Sequence, residues 1–396
     1  MRVTENMRFN STVNNLFSTQ FQYNEVMEKL SSQKKVNRAS DNPIAATKII
    51  EIRQQKAANA QYVKNMDRCD AWISMTESKL SNAYDMLVKV NEIALGQATG
   101  TANKTTRKLA AVEVQSVIDE MVLLANSKMG GRYLFSGSRD GIAPFSTTRM
   151  DATVDSATAA SENTFTGTID SSGSYTGAVN KAYALKITNS GTLDTATYQF
   201  STDGGRTWNG TDLEMDTGII DLGDGINLTF NDTGGTKAFG IGDIFSVNAY
   251  SAGYYVGNNE SLSLNISRGT KVDFNITGAD AFTAAGGVDI IQTLYDLKNA
   301  LENDDAQGIG AQMQKLDDAV GQVVLYQSLC GTKAQHIEVG RSNLRELDES
   351  LTILLSSAQD ADLADLATQL AMKELALKAS YAMAAKIGSA TLLNYL

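Results

Sequence analysis

The sequence predicts an α+β fold, in which a long coiled-coil-like bundle of helices from both ends of the chain carries an inserted antiparallel β-rich domain. Three observations support this prediction. Apolar residues recur in steps of three and four along both outer thirds of the chain, as in a heptad seam. The middle consists instead of short alternating runs between Gly, Asp and Asn. The 396 residues include only 2 prolines, so long uninterrupted helices are sterically permitted.

The first helix is predicted to begin near Phe9 and to end near Leu30, and the polar loop SSQKKVNRASDN follows it. Asn42 then has the residue type of a helix N-cap. Pro43 suits the first helical position, because the N–H that proline lacks would have no helical partner there. The seam of this helix consists of Phe9, Val13, Leu16, Gln20, Tyr23, Met27 and Leu30.

Two further helices are predicted before the middle region. The first keeps the three–four rhythm from Ile52 to Ala94, about six heptads, which is longer than an ordinary globular helix. Gly96 ends it. The second has Ala, Val, Met and Leu on one stripe at positions 110, 114, 117, 121 and 124. A pair of glycines ends that helix, and RYLFSG then indicates a short strand.

Residues 138–285 are predicted to form hairpins of an antiparallel sandwich or barrel. Runs such as YALKITN, INLTFND and IFSVNAY alternate apolar and polar residues, and turn signals such as Asp203-Gly204-Gly205 separate them. This region contains eight Lys and Arg against seventeen Asp and Glu, whereas residues 1–60 contain nine against five. The insert is therefore predicted to be an acidic, solvent-facing domain behind a basic N-terminal arm.

The helical rhythm resumes near Val288, and its seam extends from Val323 to Leu354. A soft break at SSAQDAD precedes a last helix with the seam Leu363, Leu366, Leu370, Leu377, Ala384 and Ile387. The predicted domains are an assembly helix and loop at 1–42, rod helices at 43–137, the β-rich domain at 138–285, rod helices at 286–358 and a second assembly helix at 359–396.

Apolar seams of this length need a partner, because each buried Leu or Ile side chain stabilises the folded state by about 1.5–3 kcal/mol. The long inner helices are predicted to form the core. The terminal segments 7–30 and 359–396 have little else in the chain to cover them, so packing between subunits is predicted there. The candidate interface for assembly and for a chaperone consists of Phe9, Val13, Leu16, Tyr23, Met27, Leu30, Leu363, Leu366, Leu370, Leu377 and Ile387.

The sequence favours no catalytic, cofactor or metal site, so the chain is not expected to be an enzyme. Its single histidine, His336, argues against histidine-based catalysis and against multi-histidine metal sites. The sequence contains no nucleophile elbow and no Walker loop, and its Asp-rich turns do not match an EF-hand. A pair of carboxylates for glycoside hydrolysis stays open, because the spacing of such a pair is spatial.

Composition also limits the partners and the compartment. A net charge of −11 argues against nucleic acid or an anionic membrane as the main partner, and no apolar run approaches a membrane span. The polar start MRVTENMRFN lacks the apolar core of a signal peptide. Cys69 and Cys330 lie on the two inner seams. If these helices pack antiparallel about their midpoints, both thiols lie at a similar height, and a disulfide between them stays open.

Three stretches resemble the flagellin superfamily of bacterial flagella. They are the start MRVTENM with SSQKKVNRASDNPIAATKI, the strand GGRYLFSG, and the end from AQDADLADLATQL to SATLLNYL. The forms SDNPIAA, GRYLFSG, GDIFSV and VDFNITGADAF are similar to the hook-associated junction members of that superfamily. Filament flagellins usually carry a different loop, of the type SSGLRINSAKDDAAG. The resemblance covers roughly residues 1–145 and 235–396.

This resemblance implies a structural protein without a reaction. The terminal helices would line a tube, the inner helices would form a second layer, and the β domain would face solvent. The implied partners are further copies of this chain in a ring, a neighbouring hook-associated junction protein, filament flagellin and a dedicated export chaperone, with neither nucleic acid nor membrane insertion. Such proteins leave the cell through the flagellar type III apparatus without a cleaved signal, which implies an extracellular address.

Two alternatives stay open. One is filament flagellin itself, which polymerises alone into long filaments. The other belongs to a different class and is an adhesin or a glycan-active β domain on a helical stalk. A deep, aromatic-lined cleft with paired carboxylates in residues 138–285 would favour that second alternative. The region contains one tryptophan, Trp208, which weakens the case for carbohydrate binding.

Overall fold

A computed structural model describes residues 5–99, 102–215, 218–231 and 238–393 of the chain. The fold is α+β, with long helices from both ends and a β-rich region between them, so the predicted fold class is confirmed. The described helices are α1 (Glu5–Ser32), α2 (Pro43–Ala98), α3 (Lys104–Ala125), α4 (Gly278–Phe282), α5 (Ile290–Glu302), α6 (Ala306–Gln359) and α7 (Leu363–Leu393).

The described strands lie between α3 and α4 in the sequence, and their pairing is antiparallel. The largest sheet has the order β4-β12-β7-β8-β9, with β5 also paired to β12, and a three-stranded sheet has the order β10-β11-β6. The strands are β1 (Lys128–Met129), β2 (Arg132–Tyr133), β3 (Phe145–Met150), β4 (Thr153–Val154), β5 (Thr158–Ala159), β6 (Thr168–Gly173), β7 (Lys181–Asn189), β8 (Thr197–Ser201), β9 (Leu213–Glu214), β10 (Ile219–Gly223), β11 (Ile226–Asn231), β12 (Ile244–Tyr250), β13 (Gly253–Tyr255), β14 (Ser263–Ser267) and β15 (Thr270–Asp273).

The chain divides into two compact units. The terminal unit consists of residues 1–64 and 341–396, and the inner unit consists of residues 65–340. The division falls within α2 and within α6, so each unit contains part of both helices.

Two helix starts follow from their capping residues. The side chain of Asn42 accepts a hydrogen bond from the N–H of Ala45 at 3.0 Å, and α2 begins at Pro43, as the sequence predicts. At the start of α3, Asn103 accepts from the N–H of Thr106 at 3.0 Å, and the hydroxyl of Thr106 accepts from the N–H of Asn103 at 3.0 Å. This reciprocal capping box satisfies two of the N–H groups that a helix start leaves unpaired.

In the terminal unit, the first part of α2 packs antiparallel to the last part of α6. Asn59 Nδ2 donates to the carbonyl of Leu344 at 2.8 Å, and Lys56 Nζ lies 3.2 Å from Asp348 Oδ2. These bonds set the register of the two helices. The buried apolar side chains of this packing include Ile49, Ile52, Leu344 and Leu351.

A short strap in the terminal unit joins the loop after α1 to the break between α6 and α7. Lys35 N donates to Gln359 O at 2.8 Å, and Ala361 N donates to Gln33 O at 3.1 Å, so the two segments pair as an antiparallel bridge. Val36 is buried beneath it. The strap therefore holds the end of α1 and the start of α7 side by side.

In the inner unit, α3 packs against α5, and a buried arginine secures the loop before α3. The Arg107 side chain is 8% exposed, and its Nη1 lies 2.6 Å from Asp304 Oδ1. Arg107 Nε also donates to the carbonyl of Gln97 at 3.1 Å. Between α3 and α5, the buried apolar residues include Ala110, Val114, Val117, Met121, Ile290, Leu294, Leu297 and Leu301.

The β-rich region has its own apolar core, which is rich in aromatic rings. Phe165 and Phe239 stack with ring centroids 4.3 Å apart, and Phe230 and Phe245 meet edge to face at 4.9 Å. Buried Asp243 lies beside this core. Burial opposes ionisation of its carboxyl, but hydrogen bonds from the N–H groups of Thr164, Gly240 and Phe165 outweigh that effect and lower the Asp243 pKa. The carboxylate therefore serves as a buried acceptor that joins the loop at Thr164 and Phe165 to the turn that begins at Gly240.

The β-rich region enters and leaves the helical part at neighbouring points. Strands β3 and β13 pair with Met150 opposite Gly253 and Phe145 opposite Tyr255. The Phe145 ring lies 5.1 Å from the Tyr255 ring and 5.6 Å from the Phe282 ring, centroid to centroid. The root of the insert is thus a two-stranded ribbon whose Phe145 ring packs against Phe282 of α4.

Both cysteines are free thiols and are buried. Burial raises the pKa of the Cys69 thiol and that of the Cys330 thiol to about 11. Asn91 Nδ2 donates to Asp317 Oδ1 at 2.7 Å, which places residue 339 or a near neighbour opposite Cys69 in the antiparallel pair. The two cysteines are therefore offset by roughly nine residues, about 13 Å along the helix axis, and the expectation that they lie at a similar height is wrong.

Candidate assembly surface

The terminal helices α1 and α7 pack against each other within one chain. Val26 of α1 and Leu366 and Leu377 of α7 are buried in this pairing. Two side-chain hydrogen bonds fix the alignment further along. Lys373 Nζ donates to Gln22 Oε1 at 2.8 Å, and Tyr381 Oη donates to Gln20 Oε1 at 3.0 Å.

The predicted interface residues divide between this internal seam and its edges. Leu366 and Leu377 are buried, whereas Met27 and Leu363 are 43% and 47% exposed. The side chains of Phe9 and Ile387 lie outside the described part of the structure. The half-buried members of the set are Val13, Leu16, Tyr23, Leu30 and Leu370.

Sequence reasoning placed Met27 on the seam and missed its neighbour Val26. Either residue fits a heptad seam between Tyr23 and Leu30. Val26 gives steps of three and then four residues, and Met27 gives steps of four and then three. Both sets satisfy a heptad spacing, so the pattern alone could not choose between them. The structure buries Val26 and leaves Met27 at the edge.

A second apolar set on the same two helices points away from the internal seam. Its members are more than half exposed, and helical periodicity places them on one side of each helix. We call this set the outer stripe, and it consists of Met7, Phe17, Phe21, Met372, Leu375 and Met383. Exposed apolar side chains that line one side of a helix are typical of an interaction face.

Neither a metal-binding group nor a membrane-spanning helix occurs in the part of the chain that the structure describes. Among the described residues, no group of three His, Cys, Asp or Glu side chains could hold a metal ion, and His336 is exposed on α6. Over the same residues, no helix is long and apolar enough to cross a membrane.

A polar cleft in the insert does not have the features of a glycan-active site. Its volume is about 340 Å³, and none of its lining residues is aromatic. Burial opposes ionisation of Asp203 in this cleft, but hydrogen bonds from Ser201 and Thr207 outweigh it and lower the Asp203 pKa to about 2. The other carboxylate, Glu260, lies 3.1 Å from Arg206 in an ion pair. A glycosidase needs one carboxyl group that stays protonated near neutral pH, and Asp203 cannot be that acid.

Comparison with known proteins finds a family model that matches the N-terminal helices of this chain. Residues 3–140 match the bacterial flagellin N-terminal helical region. Over this N-terminal third, the chain is similar to bacterial flagellins. The matched residues include α1, the strap loop, α2 and α3, so the family signal covers both the N-terminal partner of the α1–α7 pair and the long inner helices.

Individual relatives within the flagellin superfamily differ in how much of the chain they cover. Flagellar hook-associated protein 3 of Salmonella typhimurium is 30% identical over 146 residues, which are 37% of this chain and 46% of the relative. The chain thus spans about half the length of that relative. A flagellin of Clostridium tyrobutyricum is 23% identical over 397 residues, 99% of this chain and 100% of the relative.

One solved structure supports the fold of this chain. It comes from Vibrio parahaemolyticus, is assigned as a flagellar hook-associated protein, and is 14% identical with a TM-score of 0.51. The alignment covers 81% of this chain and 100% of the solved chain. At this identity the likeness shows the fold alone.

Proposed function

We propose that this chain is a structural subunit of the bacterial flagellum that joins hook to filament as an adapter and that catalyses no reaction. The observation that carries the proposal is the α1–α7 pair, which buries one apolar seam within the chain and presents the outer stripe to solvent. A helix pair of this kind can associate side by side with its copies, because no described residue covers the outer stripe. The likeness of 37% of the chain to hook-associated protein 3 of Salmonella typhimurium supports the junction position.

The partners follow from that position. We propose that the outer stripe packs against further copies of this chain, and that the ring they form contacts a neighbouring hook-associated protein on one side and filament flagellin on the other. The subunit contacts would be heterologous and would repeat around the flagellar axis rather than close as a twofold. The acidic insert would face solvent outside the cell.

We further propose that an export chaperone covers the terminal helices before assembly. Exposed apolar side chains on α7 invite aggregation inside the cell, so they need a cover there. The variant with Leu370→Asp and Leu377→Asp should lose chaperone binding and incorporation, because Leu377 is buried against α1 and a charge there separates the pair. Residues 43–357 should stay folded, as measured by circular dichroism.

Filament flagellin is the second candidate, and the full-length alignment with the Clostridium tyrobutyricum flagellin favours it. Location distinguishes the two candidates. A cysteine introduced at exposed Ile241 in the insert can be labelled with a gold-conjugated maleimide, since Cys69 and Cys330 are buried. An adapter places the gold in one band at the base of each filament. Gold along the whole filament would contradict the adapter role and establish the flagellin role.

A further inference from the structure

A pocket in the inner unit has no part in the pairing of the terminal helices. Its volume is about 390 Å³, and we call it the Trp72 pocket. The Trp72 ring meets the Phe274 ring edge to face, with centroids 5.7 Å apart, and Met129 and Leu264 complete the apolar wall. A concave apolar cup of this size accommodates one large apolar side chain from a partner.

The polar groups of the Trp72 pocket are mostly hydrogen-bond donors. The indole N–H of Trp72 is buried and has no acceptor among the described residues, which is unfavourable for a buried donor. Arg68 is exposed at the rim, while Arg132 forms an ion pair with Asp140. Asp67 is the one carboxylate in the lining. The pocket therefore fits an apolar side chain that has a carboxylate next to it.

The outer face of α3 offers that combination. Leu109, Val112 and Leu123 are 68%, 67% and 74% exposed, although each is a large apolar residue on a helix. Glu120 precedes Leu123 by three residues, and Asp119 precedes it by four, so these carboxylates flank Leu123 on the same side of the helix. Both carboxylates are exposed.

We propose that the Trp72 pocket of one subunit takes Leu123 of a second copy of this chain, with Glu120 of that copy beside Arg68. The proposal rests on the proposed function, in which copies of the chain assemble. The pocket and the outer face of α3 are different surfaces of one compact unit, so the contact is heterologous and can repeat from copy to copy. It adds a contact of the inner unit to the contacts of the outer stripe.

Cross-linking between two differently tagged single variants tests the proposal. Leu264→Cys places a thiol in the pocket and Leu123→Cys places one on α3, and both variants are produced together in cells that lack the chromosomal copy. Flagella are isolated, oxidised with copper phenanthroline and analysed on a non-reducing gel. Background from Cys69 and Cys330 is low because both are buried. Ile241→Cys, an equally exposed apolar position in the insert, replaces Leu123→Cys in the matched control.

We expect a disulfide between the two differently tagged chains, with a yield about tenfold above that of the control. Arg68→Glu in the Leu264→Cys chain should reduce that yield about tenfold, and Glu120→Arg in the Leu123→Cys chain should restore it, because opposite charges then face each other again. Flagella that contain both variants without the cross-link would overturn the proposal. Cross-links solely between two Leu123→Cys chains would also overturn it, and so would a Glu120→Arg change that fails to restore the yield lost through Arg68→Glu. Failure of the wild-type chain to enter flagella would instead refute the proposed function.

Discussion

Replacing Phe21 and Leu375 of the outer stripe by Gln should block assembly without unfolding the chain. Both side chains are 70% exposed, so the folded chain loses little burial, and exposed substitutions usually change the free energy of unfolding by less than about 0.5 kcal/mol. Full burial of a Phe or Leu side chain is worth about 1.5–3 kcal/mol, so covering their exposed parts gives roughly 1–2 kcal/mol each. The two substitutions together should therefore weaken association by roughly 2–4 kcal/mol, a factor of about 30 to 700.

The assay is the amount of variant per unit of hook protein in isolated flagella, measured by immunoblot. Circular dichroism of the purified variant checks that its helix content equals that of the wild type. Ile241→Gln is the matched control, because Ile241 is 71% exposed but lies in the insert, and it should assemble normally. Normal incorporation of the Phe21→Gln, Leu375→Gln chain would refute the assignment of the outer stripe as the interface.

The internal seam should respond differently from the outer stripe. Leu366 and Leu377 are 6% and 9% exposed, so replacing both by Ala removes buried contacts, at about 2–5 kcal/mol for each well-buried side chain. The α1–α7 pair should then separate in the free chain, which limited proteolysis would report as early cleavage within residues 5–32. Unchanged proteolysis would mean that the pair is not held by this seam.

Three further predictions concern the rest of the molecule. Replacing residues 151–252 by a short Gly/Ser turn should leave the helical circular dichroism signal and export intact, because the strands on either side of the excision pair with each other. Loss of the whole helical signal would mean that the insert is part of the helical core. The Asp243 carboxyl has a lowered pKa in the folded chain, so its ionised form stabilises the fold above the unfolded pKa of about 3.9, and this contribution is lost as pH falls through the folded pKa. In urea unfolding, the free energy of unfolding of Asp243→Asn should therefore fall less on acidification than that of the wild type. An equal fall in both chains would contradict the assignment. The thiols of Cys69 and Cys330 have pKa values of about 11, so the native chain should react only slowly with Ellman's reagent at pH 8, and the unfolded chain should react rapidly. Fast reaction of the native chain would contradict the burial of both thiols.

Local rules predicted the helices and hairpins of this chain because the relevant signals are local. Asn42 and Pro43 mark the start of α2, and the structure begins α2 at Pro43. The three–four spacing finds the apolar sides of the long helices, since each turn of helix brings such residues to one side. The short alternating runs of the acidic middle region predicted strands, and the structure contains strands there.

Features that depend on long-range pairing escaped the sequence. The strap between Lys35 and Gln359 joins residues more than three hundred positions apart, and nothing near either residue announces it. The axial offset of Cys69 and Cys330 depends on a register that polar bonds such as Asn91 to Asp317 set, and midpoint matching cannot supply it. The heptad spacing does not predict the outer stripe, because Phe17 and the other members of that stripe fall between the seam positions.

Electron microscopy of cells that lack this gene tests the central proposal most directly. If the chain is the adapter between hook and filament, these cells should carry hooks of normal length without filaments, and flagellin should accumulate in the medium. A plasmid copy of the wild-type chain should restore the filaments, and the Phe21→Gln, Leu375→Gln chain should not. Normal filaments on cells without the gene would contradict the proposed function.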